Sequence, residues 1–385
     1  MCPVWVTRVT GSSGPLDLQR VMPSNHLVSF LVVFGVSFGL SLALTPVSRR
    51  LGERWGIVDR PRDRHLHPNV ISKFGGMAMY VAFTAAVILA QFLPVVRTDD
   101  KEIIRLIGLL VGGLITFVFG LLDDRYEFGA LPQYFAQLAA AAIAILFLIF
   151  IEQFNNPLTG NPTPQWPYVV TVTLTLFWLG LMMNTVNWLD GLDGLAAGVC
   201  AVASLTIFIH AAFRLDQVSV SLLPLALLGA TLGFLPYNFH PARVFMGSNG
   251  ALFLGYSIGV LGIIGGAKMA TVLLVMGLPL LDVVWQIARR VSKGHNPVLG
   301  DRGHVHYRLL DLGLSQRQIV VGYYVFCALF GAIALVTASR LYKLLALLVM
   351  AAVIVIGFAV LSWRTRLENA AEPVEAGDVP PPVQG

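Results

Sequence analysis

Charged side chains are scarce in this chain. Asp, Glu, Lys and Arg make up 12% of its 385 residues while hydrophobic residues reach 56%, against roughly 25% charged residues in soluble domains. So little charge cannot clothe one soluble core of this size, and lipid is the solvent that the composition fits. Cysteine is sparse too. Cys2, Cys200 and Cys327 stand far apart, two of them inside apolar runs, which argues against a disulfide framework or a thiolate metal site. The first 24 residues have no apolar core ahead of the first hydrophobic run, so no cleaved signal peptide is expected there. Acidic residues are fewer than basic ones and the formal charge is +5. The basic residues lie in the loops between apolar runs, where membrane topology explains them, and no nucleic-acid partner is expected.

What the sequence has in abundance is apolar runs of membrane-crossing length, about 20 residues for a hydrocarbon core of ~30 Å. Windows between charged or Pro/Gly-rich breaks predict spans near 27–47, 74–95, 103–122, 131–151, 168–186, 195–213, 219–237, 251–267, 269–288, 319–338 and 342–362. The expected fold class is therefore all-α, a polytopic transmembrane bundle of about 11 spans, and an odd count places the termini on opposite sides. The loop from Pro46 to Lys73 holds seven Lys/Arg and that from Arg289 to Gln318 holds six, with Arg125, Arg243, Arg364 and Arg366 on the same side. By the positive-inside rule that face is cytoplasmic, with the N-terminus outside and the C-terminus inside, and the protein is multi-pass in the inner (plasma) membrane. Three regions are expected: a polar extension over 1–24, a transmembrane domain over 25–366, and a disordered cytoplasmic tail over 367–385, rich in Glu and Pro.

Polar motifs gather at the cytoplasmic ends of these spans. The third span ends in Asp123-Asp124-Arg125. Adjacent carboxylates raise each other's pKa unless a cation or donor compensates, so such a pair binds Mg²⁺ or supplies a base, unless it is an ordinary charged helix end. The fifth span runs into Asn184-Thr-Val-Asn187-Trp-Leu-Asp190-Gly191-Leu-Asp193-Gly194, with oxygen-bearing side chains at intervals of three and glycines that permit a break where backbone meets a phosphate or ion. Between the ninth and tenth spans, Asp301-Arg302-Gly-His304-Val-His306-Tyr307 combines imidazole and guanidinium groups that can hold a diphosphate. His65, His67 and Lys73 before Gly75-Gly76 give a weaker signal of the same kind, with helix-start glycines able to admit an anion. Asn238 and Asp282 reach toward the same face or cap helices. Acidic pairs plus basic groups at one membrane face imply a soluble, multiply charged substrate meeting a lipid-embedded one.

These motifs, in this order along residues 25–362, resemble those of the polyprenyl-phosphate N-acetylhexosamine-1-phosphate transferases of the WecA/TagO type, related to MraY. Asp123-Asp124 with Gln137 is similar to that family's aspartate-pair motif, and Asn187-Trp-Leu-Asp190-Gly-Leu-Asp193-Gly to its most specific signature. His304-Val-His306 resembles the WecA-like histidine loop. The resemblance implies transfer of a sugar 1-phosphate from a UDP-N-acetylhexosamine to undecaprenyl phosphate with release of UMP, with Mg²⁺ (or Mn²⁺) as cofactor, membrane lipid as surroundings and room for a homodimer. It implies that Asp123 or Asp124 deprotonates or orients the lipid phosphate and that Asn187 helps hold the metal. Asn184, Asp190, Asp193, Arg302, His304 and His306 would bind substrate.

Some positions depart from the family pattern. Ser248 and Ala251 stand at the eighth span's opening turn where an aspartate and a serine are usual, Gln133 replaces a lysine, Tyr307 a histidine and Ser72 a proline. Two alternatives follow: a catalytically impaired paralogue that binds lipid phosphate or nucleotide sugar, and a transporter. Transporters place their charged sites near the midplane, whereas these acids lie at one end.

Overall fold

The computed structural model describes residues 24–371 except 61–69, 98, 154, 155, 157, 160, 266–268, 293, 295–303 and 338, with side chains described between 26 and 360. The helices are α1 (Ser24–Trp55), α2 (Gly75–Ala90), α3 (Glu102–Tyr126), α4 (Ala130–Leu146), α5 (Tyr168–Leu189), α6 (Leu195–Ile209), α7 (Val218–Asn238), α8 (Gly247–Ile264), α9 (Met269–Val275), α10 (Gly277–Ser292), α11 (Val305–Asp311), α12 (Gln316–Val336) and α13 (Arg340–Ala371). Among the described residues eight helices are long and apolar enough to cross a membrane, or nine if the bent pair α9–α10 is one span. The protein is an all-α polytopic membrane protein.

Every predicted span has a helical counterpart, with differences that have local causes. The second and fourth shrink to 16 and 17 residues. The fourth ends early because Leu148 takes a positive φ of 58° and Ile149 turns back to donate to the Ala144 carbonyl. The ninth is broken, α9 and α10 meeting at 79°. Gly277 and Pro279 follow the break, and a proline nitrogen cannot donate to the carbonyl four residues back, here that of Val275. At the C-terminus the helix runs on to Ala371, past the expected start of the tail at 367. The remainder of that tail and the N-terminal extension lie outside the described residues.

The layering follows hydrophobicity. Helices that are apolar all round belong in the centre, and α6 with its π-helical continuation His210–Arg214, α7 and α8 have 78%, 83% and 83% of their apolar windows buried, against 22% to 44% in the other five long helices. With no hydrophobic drive between helices in lipid, close packing and hydroxyl hydrogen bonds join them. Ser37 and Ser41 of α1 donate to the Ala226 and Ala230 carbonyls of α7, each at 2.6 Å.

Two very short strands, not foreseen from the sequence, steer the loops beneath the bundle. β1 (Val58–Asp59) pairs antiparallel with β2 (Ile71–Ser72), and Ser72 bridges to Val244 just ahead of α8. The bridge fixes Lys73 beside the start of α8. At the opposite end of the bundle the charges close on one another: Arg105 pairs with Asp99 at 2.7 Å, and Ser219 donates to Glu102 at 2.8 Å.

Candidate active site

The last turn of α3 holds Asp123 and Asp124, both buried, at 6% and 8% exposure. A helix C-terminus is the negative end of the macrodipole and disfavours carboxylates. The N-terminus of α8 supplies the compensation. Asp124 accepts from the backbone N–H of Ser248 (2.9 Å) and Asn249 (3.0 Å) and from the Asn249 side-chain amide (2.6 Å). It thus caps α8 across 124 residues of sequence. Two glycines permit the approach. A Cβ on Gly120 would sit 2.5 Å from Asn249 backbone, and Gly247, at φ +71°, would push one to 2.3 Å from the Lys73 carbonyl.

Asp123 is held differently. Gln133 of α4 donates to its Oδ2 at 2.9 Å, while Oδ1 is buried with no hydrogen-bond partner among the described residues. The structure therefore separates two carboxylates that the sequence leaves equivalent. Asp124 is saturated by N–H donors, and Asp123 keeps one oxygen for something else.

The signature segment divides as well. Its spacing of three follows the helix only as far as Asp190, which caps α5, and the chain then turns at Gly191 and restarts as α6 after Gly194. Asp190 keeps part of its surface open. Even so, burial among the helix ends raises its carboxyl well above the usual carboxylate range, with the charges of Asp124 and Asp193 adding to the rise and Lys73 opposing it. Asn184, expected to bind substrate, exchanges hydrogen bonds with Gln137 of α4, donating at 2.7 Å and accepting at 3.2 Å. Asp193 Oδ2 lies 2.8 Å from His240 Nδ1 and accepts from the Ala242 N–H at 3.0 Å, tethering the α7–α8 connection. Asn187 lies one helical turn before Asp190.

The histidine loop lands on this corner. His304 precedes α11, and its Nδ1 is 2.9 Å from Asp282 Oδ2. Its ring lies 5.6 Å from that of Trp188 and stacks nearly parallel on His306 at 5.5 Å. Tyr307 donates to the Gly191 carbonyl at 3.3 Å. His306 is fully buried against Gly191, and neither ring nitrogen has a hydrogen-bond partner among the described residues. Burial pushes its pKa down to about 3, with Asp282 opposing and His304 adding slightly. Arg302, His65 and His67 lie outside the described residues. The amides of Gly75 and Gly76 donate to the Phe245 and Met246 carbonyls, so the anion site expected of these glycines is a backbone seam instead.

An unfolded imidazole titrates near 6.5, so the fold holds His306 neutral while the unfolded chain gains a proton. The stability from this group is complete above pH ~6.5 and falls as the pH drops from there toward 3, at up to about 1.4 kcal/mol per pH unit. In thermal melts from pH 7 to 5, His306→Phe will lose Tm less steeply than the wild type; identical slopes would contradict the assignment.

Near the acids, α4, α5 and α10 line a half-open apolar cavity of about 240 Å³, with Gln137, Phe177, Leu181, Asn184, Trp188 and Ile287 among its walls. One turn of α4 carries both walls of the arrangement, with Gln133 on Asp123 and Gln137 on the cavity. Sequence reasoning missed His240 and the pairings of Gln133 and Asn249, because each joins residues far apart in the chain with no periodic signal.

A family model for glycosyl transferase family 4 matches residues 106–266, which carry both acidic motifs and the start of α8. A probable undecaprenyl-phosphate N-acetylglucosaminyl 1-phosphate transferase from Bacillus subtilis is 33% identical over 83% of this chain and 87% of its own length. A decaprenyl-phosphate N-acetylglucosaminephosphotransferase from Mycolicibacterium smegmatis is 32% identical over 76% of this chain and 78% of its own. A phospho-N-acetylmuramoyl-pentapeptide-transferase from Desulforudis audaxviator is 31% identical over 77% of this chain and 95% of its own. With its acid pair set against α8 and its histidine loop on the signature corner, the chain belongs to glycosyl transferase family 4, the membrane-bound polyprenyl-phosphate N-acetylhexosamine-1-phosphate transferases, which are phosphosugar-transferring enzymes.

Proposed function

We propose that this enzyme transfers N-acetylhexosamine 1-phosphate from a UDP-sugar to undecaprenyl phosphate, releasing UMP, at the cytoplasmic face of the inner membrane, as the opening step of a cell-envelope polysaccharide. What supports this reading is the buried Oδ1 of Asp123, without a hydrogen-bond partner among the described residues, near a half-open apolar cavity of about 240 Å³. The isoprene units nearest the phosphate suit these apolar walls, with the rest of the tail in lipid, and the phosphate then meets the acids at the polar edge, near Gln137 and Asn184.

In the reaction an oxygen of the lipid phosphate attacks the donor's β-phosphorus. The bond from that phosphorus to the bridging oxygen breaks, and UMP leaves. One phosphoanhydride replaces another, so catalysis rests on positioning two anions and offsetting the charge gathered between them. Asp123 Oδ1 takes the proton of a protonated lipid phosphate or orients the attacking oxygen, and Gln133 fixes its rotamer. Lys73 lies within electrostatic reach of Asp124 and Asp190 and supplies positive charge where phosphates gather.

Among the described residues no three His, Cys, Asp or Glu side chains form a ready metal cage. Mg²⁺ needs no such cage, because it keeps several waters and is held by one or two carboxylates together with substrate phosphates. Asp190 and Asn187 are the oxygen donors that would hold it, a dication there offsetting the burial that raises the Asp190 carboxyl, and its chemistry would be neutralisation of the diphosphate charge, with Asp123 Oδ1 left for the lipid phosphate. Eleven crossings with the N-terminus outside complete the proposal. Helices α2 and α4, at about 24 to 26 Å by helical rise, cross with help from flanking turns and local bilayer thinning.

With β-phosphorus-labelled UDP-N-acetylglucosamine, UDP-N-acetylgalactosamine and UDP-muramoyl-pentapeptide offered in turn, label is expected to enter the lipid phase from a UDP-N-acetylhexosamine and to require Mg²⁺. Retention of all label in water would remove the proposal.

The impaired-paralogue alternative rests on Ser248. Asp124 here already receives the α8 amides, so a carboxylate at 248 would be set against it. Ser248→Asp is therefore expected to leave kcat within about tenfold of wild type or to lower it, because like charges at one helix end repel. A rise of several orders of magnitude would instead mark the natural protein as crippled.

A further inference from the structure

The strongest unassigned feature is the Asp282 carboxylate, 4% exposed, in the first turns of α10. The break between α9 and α10 turns this helix by 79°, and α10 thereby reaches a loop 22 residues further along the chain. Both carboxylate oxygens are used there. Oδ1 accepts the Val305 N–H at 3.1 Å, the first amide of α11, and Oδ2 lies 2.9 Å from His304 Nδ1. Capping α11 needs one oxygen only. The second fixes an imidazole that also has the Trp188 and His306 rings against it.

We propose that Asp282 is a positioning residue that holds His304 with its proton on Nδ1, leaving the Nε2 lone pair for a hydrogen-bond donor of the nucleotide sugar, a hydroxyl or the acetamido N–H. The proposal rests on the transferase reading above and deepens it. A carboxylate accepts only, so facing Nδ1 it selects the tautomer with the proton there, and a ligating or substrate-binding imidazole is commonly oriented through its other nitrogen in this way. His306 does not compete for the role, because it is sealed against Gly191.

Asp282→Asn separates this role from the helix cap. The Val305 N–H retains an oxygen acceptor, which turns the new amide NH₂ toward His304 and forces the opposite tautomer, with the proton on Nε2. Asp282→Ala removes the cap as well. In full-length protein, selectively ¹⁵N-labelled histidine read by long-range ¹H–¹⁵N correlation, with His304 identified by its loss in His304→Gln, should show an Nδ1–H tautomer in the wild type and Nε2–H in Asp282→Asn. In parallel, kcat/KM for the UDP-sugar should fall by about 10- to 100-fold in Asp282→Asn, with Tm within a few degrees of wild type, whereas Asp282→Ala should lower both.

An Nε2–H tautomer in the wild type overturns the proposal outright, even if neither variant folds. So does an Asp282→Asn enzyme with wild-type kcat/KM beside a turning-over wild type, which would leave the transferase reading intact. If the wild type releases no UMP, the transferase reading falls and the spectrum alone decides the tautomer.

Discussion

Asp123→Asn will reduce transfer by about a thousandfold or more while leaving the protein as stable as before or more so. A positioned general base contributes ~10²- to 10⁴-fold, and Asp123 offers the carboxylate oxygen of the acid pair that has no hydrogen-bond partner among the described residues. The asparagine keeps its shape, and its carbonyl can still accept from Gln133. A buried charge at the negative end of the α3 dipole is a burden on the folded state, and the asparagine removes the charge while keeping a polar atom at each position. Removing it should therefore raise Tm slightly while abolishing UMP release. Opposite signs in the two readouts are the mark of a residue kept for function. A variant that keeps activity, or loses it only by unfolding, would remove Asp123 from the chemistry.

Asp124→Ala should fail differently. Its carboxylate takes two backbone amides and one side-chain amide at the start of α8, and a helix cap contributes about 1–2 kcal/mol. The two backbone N–H groups left behind are near-buried, and each unsatisfied donor costs about 1–3 kcal/mol. The Asn249 amide still has the Lys73 carbonyl at 2.8 Å. Tm is expected to fall by several degrees and activity by ~10²-fold or more, because the α3–α8 seam also sets Lys73. Asp124→Asn, which keeps one acceptor, should be milder in stability. If Asp124→Ala were stable and dead while Asp123→Asn unfolded, the two roles would have to be exchanged.

The fold was largely legible because lipid imposes length and apolarity on each span separately. Nothing of that kind announces the 79° break between α9 and α10 beyond a glycine and a proline, which the apolar window passes over. In the site, Asp190 lies within electrostatic reach of Asp124, and His304 and His306 lie against Trp188 and Gly191 on either side of it. Their division of labour was not readable, because it depends on partners contributed by other segments. Asp193 faces His240, 47 residues on, Asn184 faces Gln137, 47 residues back, and Asp282 faces His304. Intervals of three in the signature suggested one shared face, yet the helix stops at Leu189 and Asp193 serves a different contact. Ser248 looked like a lost ligand; in the structure its backbone, rather than its side chain, addresses Asp124.

UMP release by the purified wild-type protein in lipid nanodiscs, supplied with undecaprenyl phosphate, UDP-N-acetylglucosamine and Mg²⁺, tests the account most directly. The expected result is UMP formed in step with lipid diphosphate sugar, about a thousandfold above Asp123→Asn and dependent on the lipid phosphate. Wild-type release no greater than that of Asp123→Asn, from protein that still binds undecaprenyl phosphate, would contradict it.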